Sequence, residues 1–285
     1  MKTLLQNYKH PDIRPVWCPG CGDYAVLNAV RKAFAELQLK PEEISVVSGI
    51  GCSGRFSHYF NSYSLHGTHG RALPTATGLK AARPDLTVLV AGGDGDGMAI
   101  GGGHIAHAAR KNVDLTYLIM DNTIYALTKG QSSPTSPLGV RTKTAPYGVF
   151  EDALNPIAIF LSYDASFIAR TTSLKIKEME RIITAALKHP GFAIIQIMSP
   201  CVTHKSLTYE DIKHNVPELP QNYDPENKLE ALKYAYEDPM YTGIFYRIRK
   251  PTLEERLTSV VDRVSAKAFN RNHTMTTSQI MEEYR

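Results

Sequence analysis

Four short runs of β-branched and aliphatic residues, 44–47, 87–91, 115–120 and 192–198, constrain this 285-residue chain more than any other feature. Each is almost continuously apolar rather than alternating, the pattern of parallel strands covered on both faces. Helical patterns separate them. Residues 24–37 and 174–187 carry apolar side chains at three-and-four spacing, 72–82 is rich in helix formers, and 104–110 reads as a helix entered from a glycine-rich loop. The alternation predicts an α/β fold: a mostly parallel sheet with helices on both faces and ligands beyond the carboxyl ends of the strands. After residue 201 the composition turns to Tyr, Pro, Asn, Glu and Lys, with little strand character over 208–246. Pro251 then opens a charged segment to Arg285 that reads as helical over 252–269. The expected organisation is a core of 1–201 and an extension of 202–285 that packs on that core or on a partner.

Charge and hydropathy remove several classes of function. Lys and Arg number 32 against 28 Asp and Glu, a net charge of +4 without a long basic run, so no nucleic acid partner is expected. The most apolar stretch, 86–105, is interrupted by Asp94, Asp96 and many glycines, so no membrane span is expected. The first residues lack an apolar stretch long enough for a signal peptide, and the expected location is the cytoplasm. The four cysteines, Cys18, Cys21, Cys52 and Cys201, all lie in turns containing Gly or Pro. Packing cysteines usually sit inside apolar runs, so these read as ligands. Two disulfides are the alternative for an exported chain, and a four-thiolate metal site is the expectation.

The stretch Val88-Leu89-Val90-Ala91-Gly92-Gly93-Asp94-Gly95-Asp96-Gly97 carries the most chemistry. A strand delivers a carboxylate into a loop almost without side chains. Glycines there let backbone N–H groups approach a phosphate, which the carboxylate can face only across a cation. Asn122 follows 28 residues after Asp94, at the end of the next strand, so the two should emerge side by side at one sheet edge. A carboxylate oxygen, an amide oxygen and a nearby carbonyl suit Mg²⁺, completed by diphosphate and water. No G-x-G-x-x-G fits 92–103 in the right position, and the lysine of a P-loop is missing. A glycine-rich turn with a surface aspartate is the plainer alternative.

Gly93-Asp94-Gly95 followed by Asp121-Asn122 resembles the thiamine diphosphate motif. Four further segments stand in order with it: Trp17-Cys18-Pro19-Gly20-Cys21-Gly22, Gly51-Cys52-Ser53-Gly54-Arg55, His66-Gly67-Thr68-His69-Gly70-Arg71-Ala72, and Leu127-Thr128-Lys129-Gly130-Gln131-Ser132-Ser133-Pro134-Thr135. Together they resemble the β subunit of 2-oxoacid:ferredoxin oxidoreductases, most closely the 2-oxoglutarate branch. The likeness runs from about Trp17 to Cys201 and extends into the tail through 239–246.

The resemblance implies a thiamine diphosphate-binding fold and, for residues 1–201, a domain holding both thiamine diphosphate and a [4Fe–4S] cluster. Cys18, Cys21, Cys52 and Cys201 would ligate the cluster, a Cys₄ zinc site being the alternative. Asp94, Asn122 and the Ile124 carbonyl would hold Mg²⁺. Ile50, Gly51, Cys52, Ser53, Gly95, Asp96, Ala126 and Leu127 would line thiamine diphosphate, with His69 near its diphosphate or thiazolium; His66 reads as a turn residue. Read from the residues themselves, the loop 124–131 after Asn122 should face the reacting centre. Leu127 then offers an apolar wall to the substrate, Lys129 a cation to a distal carboxylate and Arg55 one to the carboxylate beside the ketone, a solvated loop charge being the alternative for Lys129.

No glutamate stands in a convincing position to activate the pyrimidine ring; Glu36, Glu42 and Glu43 read as solvated charges. That residue is expected on an α-type subunit, which would also carry most of the coenzyme A site. The implied activity is coenzyme A-dependent oxidative decarboxylation of 2-oxoglutarate to succinyl-CoA, with electrons passed to ferredoxin and the whole reversible in principle. Three competitors stand beside it: a pyruvate or broad-range 2-oxoacid enzyme of the same type, a non-oxidative thiamine decarboxylase or carboligase, and a non-catalytic zinc-stabilised scaffold.

Overall fold

The apolar runs pair into a single seven-stranded sheet. Its strands are β1 (Ile44–Ser48), β2 (Tyr63–His66), β3 (Thr87–Gly93), β4 (Leu115–Asp121), β7 (Phe167–Thr172), β8 (Phe192–Met198) and β9 (Gly243–Arg247). A two-stranded hairpin, β5 (Ile124–Tyr125) with β6 (Gln131–Ser132), stands apart from it. These come from a computed structural model that describes residues 2–213 and 216–270. The order is β2-β1-β3-β4-β8-β7-β9, parallel throughout except for β9, which runs antiparallel to β7.

Alternation along each strand builds two cores. Leu89, Ala91, Leu118 and Ile195 face the layer made by helices Asp23–Glu36 and Ile176–Leu187. Val88, Val90, Ile119 and Ile194 face the layer made by Ala72–Ala82, Gly102–Lys111, Pro156–Ser162 and Lys228–Ala235. Burial on both faces is why these runs read as continuous and not alternating. Among the described residues no helix is long and apolar enough to cross a membrane.

Several expectations need correction. The stretch after Asp94 is not an open loop but a helical turn, Gly95–Ile100, closed by the Gly101 N–H on the Asp96 carbonyl five residues back at 3.1 Å. Such a turn widens the helix start by one residue, a feature common at functional sites. Helix Ile176–Leu187 begins two residues later than its apolar spacing implied. The Thr172 hydroxyl accepts the N–H groups of Leu174 and Lys175, both at 3.3 Å, and holds that segment in a turn.

Strand β7 was not expected because its apolar run is only Phe167 to Ala169 before Arg170, Thr171 and Thr172, and β2 because all four of its residues are exposed. His66 ends β2 instead of lying in a turn. The tail has more strand character than its composition implied, since β9 completes the sheet edge beside β7. The helix expected over 252–269 is Leu253–Asn270, and the end of the charged segment, 271–285, lies outside the described residues.

Candidate active site

Strands β1, β3 and β4 end side by side, and the loops leaving them enclose a cavity of about 100 Å³. The register sets Gly93 opposite Met120, so Asp94 and Asn122 emerge together, and both line the cavity. Its walls require glycine at two points. A Cβ on Gly49 would lie 1.9 Å from Asp96 Oδ2, and one on Gly95 would lie 2.2 Å from the Tyr125 ring. With those positions bare, the Tyr125 hydroxyl donates to the Gly95 carbonyl at 3.0 Å, and the Asp96 carboxylate fits beneath the β1 loop.

Asp96 is the tie between loops. Its Oδ1 accepts the N–H groups of Ile50 at 2.9 Å and Gly70 at 2.8 Å, and meets His69 Nδ1 at 2.7 Å. One buried carboxylate thus joins the loops after β1, β2 and β3, and its Oδ2 is buried without a partner. Asp94 is equally buried, and the Thr135 hydroxyl lies 2.8 Å from its Oδ2. Burial, and then the charge of Asp121, push the Asp94 carboxyl above the usual carboxylate range. Burial also raises Asp121, against the hydrogen bonds of Gln196 and Thr135. Asn122 Oδ1 accepts the Ile124 N–H at 3.1 Å, which shapes the turn that carries both residues along the wall. An amide oxygen has two lone pairs, so one remains for another partner.

Next to this cavity lies a second, of about 250 Å³, lined by all four cysteines from three separate loops. They are free thiols. Burial, then the charge of Asp23, drives the Cys21 thiol far above its ordinary value, and burial with the same carboxylate raises Cys52 to about 11. Thiolates here would need added positive charge nearby. Trp17 Nε1 donates to the Cys52 carbonyl at 2.7 Å, and the Thr203 hydroxyl lies 3.3 Å from Cys18 Sγ. Among the described residues, no three His, Cys, Asp or Glu side chains converge as the ligands of one metal ion. The two cavities share a wall made of Cys52, Asn122, Ala126 and Leu127.

Every residue expected around thiamine diphosphate or Mg²⁺ lines the first cavity. Of the residues expected to meet substrate, only Leu127 does; Arg55 and Lys129 line the cysteine cavity instead. Arg55 also borders a third cleft of about 390 Å³ with Arg14, His58 and His66. No glutamate lines the first cavity among the described residues, and Glu36, Glu42 and Glu43 are exposed.

Sequence reasoning missed Asp23, Gln196 and Arg170, and the hydrogen-bonding roles of Tyr125 and Thr135. Asp23 is buried, accepts from Ser199 Oγ at 2.7 Å, lines the first cavity and stands close enough to Cys21 and Cys52 to raise both thiols. Arg170 had a readable signal, the one charge in a segment of Phe, Ile, Ala and Thr.

Comparison with known proteins gives the family. Residues 49–197 match the family described as thiamine pyrophosphate enzyme, C-terminal TPP binding domain. Residues 201–262 match the family of the C-terminal region of the pyruvate ferredoxin oxidoreductase β chain. The β subunit of 2-oxoacid:ferredoxin oxidoreductase 1 of Aeropyrum pernix is 42% identical over 256 residues, covering 85% of this chain and 80% of that one. The 2-oxoglutarate synthase subunit KorB of Methanocaldococcus jannaschii is 37% identical over 275 residues, 93% of this chain and 100% of that one. A solved 2-oxoglutarate:ferredoxin oxidoreductase from Magnetococcus marinus, with 2-oxoglutarate, coenzyme A and succinyl-CoA bound, superposes with a TM-score of 0.90 at 39% identity. That superposition covers 98% of this chain and 95% of the other. The chain therefore belongs to the β subunits of the 2-oxoacid:ferredoxin oxidoreductases, with a thiamine pyrophosphate-binding domain at its centre.

Proposed function

We propose that this chain is the β subunit of a 2-oxoglutarate:ferredoxin oxidoreductase, which together with an α-type subunit turns 2-oxoglutarate and coenzyme A into succinyl-CoA and CO₂. Two electrons leave singly for ferredoxin, and the reaction can run backwards with a donor of low enough potential. The observation that carries the reading is the shared wall. Cys52, Asn122, Ala126 and Leu127 border both the cavity of the thiamine-binding domain and the cavity of the four thiols. These four residues would stand between a thiamine group held in the first cavity and a redox group held by the thiols in the second.

The residues present fit the groups the family implies. Asp94, the free lone pair of Asn122 and the Ile124 carbonyl supply the hard oxygen ligands that Mg²⁺ takes, beside glycines whose N–H groups can reach a diphosphate. Cys18, Cys21, Cys52 and Cys201 supply four thiols around one space, the ligand set of a [4Fe–4S] cluster. When bound, thiamine diphosphate supplies the carbon nucleophile that adds to the ketone, and the cluster supplies one-electron transfer.

This chain's own residues then position and exclude. Asp96 holds His69 against the cavity through the 2.7 Å contact, and Tyr125 closes the wall over Gly95. Leu127 offers an apolar surface that leaves room for a substrate longer than pyruvate. The absence of a glutamate from the described lining supports an α-type subunit that donates the activating carboxylic acid. Family membership favours this enzyme over a zinc scaffold, and four thiols beside the thiamine domain favour it over a non-oxidative decarboxylase.

For the distal carboxylate of 2-oxoglutarate we assign Lys129, and for the carboxylate beside the ketone Arg55; both line the cysteine cavity, so a substrate meeting them would extend past the shared wall from the first cavity. The test is a pair of substrates. Purified with its α-type subunit, the protein is expected to prefer 2-oxoglutarate to pyruvate in kcat/KM, and Lys129→Ala to reduce that ratio more than tenfold. Lys129 is exposed in the free chain, and losing a charge pair that substrate binding buries costs roughly 2–5 kcal/mol. An unchanged ratio contradicts the role of Lys129. A wild-type preference for pyruvate contradicts the substrate assignment and favours the broader 2-oxoacid activity named for the Aeropyrum relative.

A further inference from the structure

Behind Asp94 runs a chain of buried polar groups that the cavity lining does not explain. Arg170, 2% exposed, donates from Nε to Gln196 Oε1 at 2.7 Å. Gln196 Nε2 donates to Asp121 Oδ2 at 2.8 Å. Asp121 Oδ1 accepts the Thr135 hydroxyl at 2.8 Å, and the same hydroxyl lies 2.8 Å from Asp94 Oδ2. The polarity of this chain is fixed at one end, because a guanidinium can only donate. Gln196 must therefore turn its oxygen to Arg170 and its NH₂ to Asp121.

Asp121 also accepts the Thr123 N–H at 3.0 Å, within the turn that carries Asn122 and Ile124. The turn is further tied to the Thr135 segment, since Ser136 Oγ donates to the Thr123 carbonyl at 2.6 Å. One buried carboxylate thus faces both halves of the cation site proposed above: Asp94 through Thr135 on one side, and Asn122 with Ile124 on the other. Two buried carboxylates share one hydroxyl proton, and Arg170 balances only the Asp121 side. A proton or a cation at Asp94 would balance the second carboxylate.

We propose that Thr135 and Asp121, held by Gln196 and Arg170, are positioning residues for the divalent cation: they set the separation of Asp94 from Asn122 and Ile124 without touching the ion. The inference rests on the proposed cation site and gives a role to Thr135, the last residue of the Leu127–Thr135 segment, although it lies outside the cavity lining. Asp121 serves as an acceptor at both oxygens. Asn in its place would turn an NH₂ either toward Gln196 Nε2 or toward the Thr135 and Thr123 donors.

The test uses Mn²⁺ as probe, followed by the fall of its free electron-paramagnetic-resonance signal. It is added to the full chain, in the assembly in which it purifies, after chelation and with thiamine diphosphate present. Thr135→Val is expected to raise the Mn²⁺ Kd by roughly 10–100-fold, the usual effect of removing a group behind a metal ligand. Thr135→Ser, which keeps the hydroxyl, is expected to bind as wild type does. Gln196→Met, which cuts the link behind Asp121 at similar volume, is expected to weaken binding as well and gives an independent arm should Thr135→Val fold poorly. Unchanged affinity in Thr135→Val, with binding lost in Asp94→Ala, overturns the inference and leaves the proposed function standing. Equal loss in Thr135→Val and Thr135→Ser also overturns it, because packing and not the hydroxyl would then set affinity. Unchanged affinity in Asp94→Ala overturns the cation site and the inference together.

Discussion

Changing Asp94 to alanine is expected to strip the protein of thiamine diphosphate while leaving its iron in place. In the proposed site Asp94 is the one ligand with a charge; Asn122 and the Ile124 carbonyl are neutral. Without the carboxylate, a divalent cation bridging to a diphosphate loses its only anionic protein partner. Weakening by about 100-fold or more, some 3 kcal/mol, follows from losing such a contact in a buried setting. The cysteines stand on other loops and do not use Asp94, so iron content should not change. Thiamine diphosphate remaining after dialysis, measured by oxidation to its fluorescent product and set beside iron analysis, checks both halves. Full retention in Asp94→Ala contradicts the assignment.

The converse variant, Cys201→Ser, is expected to lose most of its iron and its broad violet absorbance while still taking up thiamine diphosphate. Cys201 follows β8 and meets Cys18, Cys21 and Cys52 across the second cavity, so it closes a ring otherwise made by loops at the other end of the chain. A serine oxygen is a poor replacement for a thiolate on iron. The first cavity does not include Cys201 and should be preserved. Iron equal to wild type in this variant excludes Cys201 as an essential ligand. A colourless wild-type protein containing zinc excludes the cluster itself.

The strands that proved legible were those buried on both faces. Ile44–Ser48, Thr87–Gly93, Leu115–Asp121 and Phe192–Met198 lie inside the sheet, and burial demands side chains whose apolar run is visible without a structure. Strand Phe167–Thr172 is equally buried, but it spends one position on Arg170, whose charge is satisfied by Gln196 and by stacking on Phe245. Only the tertiary partners make that residue admissible. Tyr63–His66 and Gly243–Arg247 are the two edges, where exposure or a single partner strand leaves little pattern to read.

The cavity lining was legible because it is built from residues close to strand ends, where chain order and strand apposition fix who meets whom. What lay behind it was not. Thr135 reaches Asp94 from 41 positions along the chain, and Gln196 reaches Asp121 from 75 positions away, through a loop and a neighbouring strand. Neither separation carries a period. Asp96 shows the opposite limit: its position in the glycine-rich turn was plain, but its role as the acceptor joining Ile50, Gly70 and His69 required the coordinates.

The central claim is that carbon chemistry in one cavity is coupled to electron transfer through the other. Its most direct test is the stoichiometry of a single reaction: the protein purified with its α-type subunit, given 2-oxoglutarate, coenzyme A and an oxidised viologen, a one-electron acceptor. The account predicts two viologens reduced for every succinyl-CoA formed, with no activity from the isolated chain. CO₂ and an aldehyde released without reduction of the dye would contradict it.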